Sequence, residues 1–134
     1  MDRQQKIGVK QGGGPPPGYS WGVSFVDLAE TDGRSFLNPA QYQHVVGLMK
    51  CLAMEDDPTH PSTVDVRSID EFYELRDKGG ILGKLNVRVF FIISKSTRNI
   101  LILGVIKKEA DNQTPMHDII RIRQRIRRLS DFKA

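Results

Sequence analysis

A chain of 134 residues, 39% of them hydrophobic and 27% charged, suffices for one compact domain and is too ordinary in composition for a fibre or a disordered tail. No apolar run approaches the roughly 20 residues of a membrane span, and Met1-Asp2-Arg3-Gln4-Gln5-Lys6 lacks the apolar core of a secretory signal. A cytoplasmic protein with no membrane partner is expected. The single cysteine, Cys51, has no Cys or His at metal-ligand spacing, agrees with a reducing compartment, and reads as a small apolar residue on a helix. The net charge of +4 conceals an asymmetry: residues 1–75 hold 6 Lys and Arg against 11 Asp and Glu, a net of −5, and residues 76–134 hold 14 against 5, a net of +9. So concentrated a positive charge favours encounter with phosphate, although by itself it fixes neither fold nor chemistry.

Residues 1–18 end in Gly12-Gly13-Gly14-Pro15-Pro16-Pro17-Gly18, which continues neither helix nor strand and reads as a flexible leader. A phosphate-cradling loop is disfavoured there, because no Gly-Lys-Ser/Thr follows and prolines lack the N–H groups such a loop offers. A single domain is expected over 19–134. From Tyr19, the alternation of Trp21, Val23 and Phe25 with Gly22 and Ser24 has the period of a half-buried strand. Asn38-Pro39-Ala40-Gln41 supplies an N-cap, a proline at the first helical position and a Gln at the third, a variant of the capping box. The helix it opens carries Tyr42, Val45, Val46, Met49, Leu52 and Ala53 on one stripe and stops at Asp56-Asp57-Pro58.

Three further strands are expected, at Ile69–Asp77, Leu85–Ser94 and Asn99–Lys107. The last two are joined by a short polar hairpin, and the first two by the glycine-rich Lys78–Lys84 with a lysine at each end. The second and third are apolar on both faces and should be covered on both. Thr114-Pro115 offers a second N-cap, and Ile119, Ile122, Ile126 and Leu129 mark a last helix whose remaining surface carries Arg121, Arg123, Arg125, Arg127 and Arg128. The expected class is α+β: a small antiparallel sheet of about four strands, packed by a helix from the N-terminal half and by the C-terminal helix.

Alternation puts Glu74 and Arg76 on one face of their strand and Arg88 with Phe90 on one face of the next, so the two arginines can meet. An arginine inside Val87-Arg88-Val89-Phe90-Phe91 must pair with a carboxylate such as Glu74 or reach water. An internal ion pair and an anion site remain equally open. Of Lys107 and Lys108, on opposite faces, one should join the arginines.

The ordered succession Tyr73-Glu74-Leu75-Arg76, Arg88-Val89-Phe90-Phe91, Ile100-Leu101-Ile102-Leu103-Gly104, Lys107-Lys108 and Thr114-Pro115 before a closing helix resembles the RelE/HigB-type toxins of toxin–antitoxin systems, in the phage-derived HigB-like branch. The match runs from about Phe72 to Phe132. The resemblance implies a RelE-like fold and a ribosome-dependent endoribonuclease that cuts mRNA, needs no metal or other cofactor, and is held inactive by a cognate antitoxin. In such cleavage the ribose 2′-OH attacks the adjacent phosphorus, so a base, a charge stabiliser and an acid are required. The resemblance thereby implies Arg76, Arg88, Lys107, Lys108 and His117 as catalytic candidates, His117 being the only histidine expected near these elements. Lys78, Lys84, Arg121, Arg125 and Arg128 are the candidates for holding RNA, with the arginine-rich helix facing the ribosome or the antitoxin. Two alternatives stay open: a non-catalytic RNA- or protein-binding module of the same fold, and a ParE-like inhibitor of gyrase.

Overall fold

A computed structural model describes residues 15–26, 28–108 and 114–133. Most of the expected leader, residues 1–14, therefore lies outside the described residues. Among those described, the elements run β1 (Gly22–Phe25), α1 (Ala29–Arg34), α2 (Pro39–Met54), β2 (Asp65–Ile69), β3 (Phe72–Lys78), β4 (Asn86–Ser94), β5 (Asn99–Lys108) and α3 (Met116–Lys133), with a single 3-10 turn at Gly80–Leu82. The class is α+β, as expected. The sheet, however, has five strands in the order β1-β5-β4-β3-β2 and is mixed, because β1 runs parallel to β5 while every other pairing is antiparallel.

Two elements exceed the expectation. The strand read as Ile69–Asp77 is a hairpin arm: the chain reverses at Asp70-Glu71, with Asp70 at φ 51°, a left-handed conformation that aspartate tolerates. The Asn-Gly signature that announces such turns is absent. Helix α1 is a six-residue segment, too short to show a period, and it packs against β5.

Helix α2 starts as its sequence dictates. The Asn38 side chain accepts from the Gln41 amide at 2.8 Å, and the Gln41 side chain accepts from the Asn38 amide at 3.0 Å, so two amides at the helix start are satisfied reciprocally. Its apolar stripe packs Tyr42, Val45, Met49 and Leu52 onto one face of the sheet, against Leu75, Val89, Phe91, Ile100 and Ile102. Helix α3 covers the other face, setting Ile122 and Leu129 against Phe72, Phe90, Leu101, Leu103 and Ile106. The central strands are thus covered on both sides, which explains why β4 and β5 are apolar at consecutive positions. No helix among the described residues is long and apolar enough to cross a membrane.

A β-bulge sits where β4 and β5 meet α3. Phe90 faces Gly104 and Phe91 faces Ile102, so Leu103 is the extra residue and Leu103 and Gly104 lie on the same face. A Cβ on Gly104 would come within 2.8 Å of Ile122 Cδ1 and 3.1 Å of Arg125 Nη1; glycine there lets α3 approach the strand closely.

Candidate functional site

The register puts Glu74 opposite Arg67 and Phe90, and Arg76 opposite Asp65 and Arg88. All these side chains stand on the face covered by α3, so the strand alternation did bring the two arginines together. They are not equivalent. Arg88 is 1% exposed and Glu74 0%, and such charges persist inside only when paired and fully hydrogen-bonded. Glu74 Oε2 accepts from Arg76 Nε, and Glu74 Oε1 accepts from the Thr114 hydroxyl. Thr114 Oγ1 in turn accepts from Arg88 Nη1 at 2.7 Å, and the same Nη1 lies 3.7 Å from Glu74 Oε1. Thr114, expected to cap the last helix, joins the Glu74 carboxylate to the Arg88 guanidinium in a network that also holds Arg76.

Arg76 is the charged member of this network that reaches the surface. Its side chain is 17% exposed and lines two adjoining clefts. One, of about 190 Å³, is bounded by Asp65, Arg67, Arg76, Asp77, Lys78, Asn86, Val87 and Arg88. The other, of about 400 Å³, is bounded by Arg67, Ser68, Ile69, Asp70, Arg76, Thr114 and Ile119. A guanidinium held through Nε by a buried carboxylate is a fixed, planar donor, the form best matched to a phosphate.

The remaining candidates are placed as follows. The bulge settles the two lysines: past it, Ile106 and Lys108 share the face of Arg88, whereas Lys107 falls on the opposite face with Val105. Lys78 and Lys84 are exposed at the two ends of the glycine-rich connection, and Lys78 lines the smaller cleft. His117 is 81% exposed beside the Asp118 carboxylate, 3.6 Å away, and lines neither cleft. A second histidine touches these elements from the other face of the sheet: His44 of α2 lies with Nε2 2.7 Å from Asp77 Oδ2 at the end of β3, a contact between residues 33 apart that no local pattern announces.

Helix α3 is less available to a polyanion than its sequence suggests. Arg125 is 5% exposed and donates to Asp32 of α1 at 2.7 Å and to the Leu103 carbonyl at 2.6 Å, so it is an internal contact and not a surface cation. Arg123 is engaged by Asp70 and Glu71 at the β2–β3 turn. The Glu71 carboxyl is held below the usual range first by its own backbone amide and then by Arg123. Arg121, with Asp118 Oδ1 3.4 Å away, and Arg127 and Arg128 are the exposed ones. Among the described residues no group of three or more His, Cys, Asp or Glu side chains is placed to hold a metal ion. In comparisons with protein-family models, curated proteins and solved structures, nothing matches the chain.

Proposed function

We propose that the protein is a toxin-like, RelE/HigB-type endoribonuclease that cuts mRNA on the translating ribosome without a metal and is neutralised by a cognate antitoxin in the cytoplasm. The observation that carries this reading is Arg76, fixed by buried Glu74 at the common wall of two clefts with Lys78 and Arg67 beside it. The α+β order of one strand, two helices, a sheet and a closing helix is compatible with the same reading.

In this mechanism Arg76 stabilises the charge that grows on the phosphoryl oxygens when the 2′-OH attacks, Lys108 on the same sheet face adds to the field, and water takes the hydroxyl proton and protonates the 5′ oxygen as the P–O5′ bond breaks. Incubating the protein with translating ribosomes and mapping mRNA 5′ ends tests it. Cuts that fall roughly 10²- to 10³-fold in Arg76→Ala are expected, the loss typical of removing one charge-stabilising donor. Intact mRNA with the unaltered protein, or equal cutting by the variant, overturns it.

One observation favours a second reading, a binding module without chemistry: Arg88 is locked inside and His117 faces solvent away from the clefts. Salt-sensitive RNA binding that leaves mRNA uncut on ribosomes selects that alternative.

A further inference from the structure

Of the residues lining the two clefts, Arg67 and Arg76 belong to both. Arg67 stands on the edge strand β2 opposite Glu74, and Arg76 on β3 opposite Asp65. The two arginines are therefore diagonal neighbours on one face, with Cβ atoms about 7–8 Å apart, a spacing that two long side chains close onto a single tetrahedral anion. On one side the larger cleft offers Ile69 and Ile119 with Ser68, an apolar wall for a base or ribose; on the other the smaller cleft offers Asn86 and Lys78, polar groups beside the gripped phosphate.

Three acidic residues also line these clefts. Asp70 is engaged by Arg123 and Asp77 by His44. Asp65 is paired with Arg67 itself, through Oδ2 to Nη2 at 3.3 Å and Oδ1 to Nε at 3.4 Å, and both partners are about half exposed. So open and loose a pair contributes little to the fold and yields readily to a competing phosphate. Glu74, buried behind it, stays on Arg76 Nε and keeps that guanidinium in place.

We infer that Arg67 and Arg76 grip one phosphate of a single-stranded RNA, with a flanking nucleotide in each cleft, and that Asp65 is the internal anion this phosphate displaces. The assignment rests on the reading of this face as an RNA site and adds to it a second phosphate-gripping arginine and an internal competitor. Single-stranded RNA fits because its unstacked nucleotides can splay to either side of the gripped phosphate, which a duplex does not allow.

The test is binding of the full chain to a short, fully 2′-O-methylated single-stranded RNA, which this chemistry cannot cut, followed by fluorescence anisotropy across a salt series. Arg67→Ala is expected to weaken binding about tenfold and to flatten the log–log salt dependence by about 0.7, the loss of one phosphate contact on a single strand. Asp65→Asn is expected to tighten binding several-fold. Lys50→Ala, exposed on α2 across the sheet, serves as the control and is expected to bind like the unaltered protein. Arg67→Gln provides a second variant that keeps the stem of the side chain on the edge strand.

Unchanged affinity and slope in both Arg67 variants, with Arg76→Ala weakened, overturns the inference and leaves the RNA reading standing. Unchanged or weaker binding in Asp65→Asn removes the displaced-anion step, and equal competition by a duplex of the same length removes the single-strand assignment. If Arg67 and Asp65 behave as expected while mRNA on ribosomes stays intact, the groove stands and the cleavage reading falls.

Discussion

Replacing Glu74 by glutamine removes a buried negative charge on which two guanidinium groups converge. Arg88 keeps its charge under all ordinary conditions and is 1% exposed, so after the substitution it has no water to turn to. Its Nη1 lies 3.7 Å from Glu74 Oε1, a separation worth about 4 kcal/mol at an effective dielectric constant near 20. The amide that replaces the carboxylate also presents N–H groups to one of the two donors. Breaking a buried pair from one side costs about 3–5 kcal/mol, a large share of the roughly 5–15 kcal/mol that holds a domain of this size together. The assay is urea unfolding followed by circular dichroism and by the fluorescence of the sole tryptophan, Trp21, which is 6% exposed. Removing both charges in Glu74→Met/Arg88→Met is expected to recover most of the loss, because Arg76 reaches the surface and the remaining side chains pack as hydrocarbons. A Glu74→Gln protein within about 1 kcal/mol of the unaltered one, or a double variant no more stable than the single, refutes the network as a mutually dependent unit.

Gly104→Ala pushes a methyl into Ile122 and the ion-paired Arg125 and is expected to cost about 1–3 kcal/mol by overpacking, measured in the same unfolding assay. Asn38→Ala removes one half of the capping box and is expected to cost about 0.5–2 kcal/mol, with α2 helicity the companion readout. The Asp57 carboxyl, hydrogen-bonded first by the Thr59 hydroxyl and amide and then by His60, is held down at about 2. Its folded value lies below the unfolded one, so its contribution to stability is present above about pH 4 and is lost as pH falls through 2. Carboxyl NMR titration checks this, and Thr59→Ala is expected to move the midpoint upward; an unmoved midpoint removes the hydroxyl as the main cause.

The charge asymmetry of the two halves takes on a second meaning in three dimensions. Asp32 meets Arg125, Asp70 and Glu71 meet Arg123, and Glu74 meets Arg76 and Arg88. Part of the second half's surplus thus neutralises the first half's deficit inside the fold, while the lysines of the β3–β4 connection and the outer arginines of α3 stay exposed and Arg76 lines the clefts. Sequence counting registers both uses as the same number.

Local patterns were enough for several features that depend on neighbours a few residues apart. The capping box of α2, the stripe of α3, the hairpin between β4 and β5 and the common face of Glu74, Arg76 and Arg88 all follow from periods of 3.6 and 2 and from cap chemistry, and all are present. Contacts across the fold escaped those patterns. One inserted residue at Leu103 reverses the facing of every later residue in β5 and so selects Lys108 over Lys107, and bulges are fixed by cross-strand pairing that no single strand encodes. Arg125 reads as a surface cation on a helical wheel until Asp32, 93 residues away, meets it under the bulge. Arg67 gained its place beside Arg76 only when β2 paired with β3. A side chain's direction is a local property, but whether it ends in water, in a cleft or on a buried counter-charge depends on which distant strand or helix closes over it.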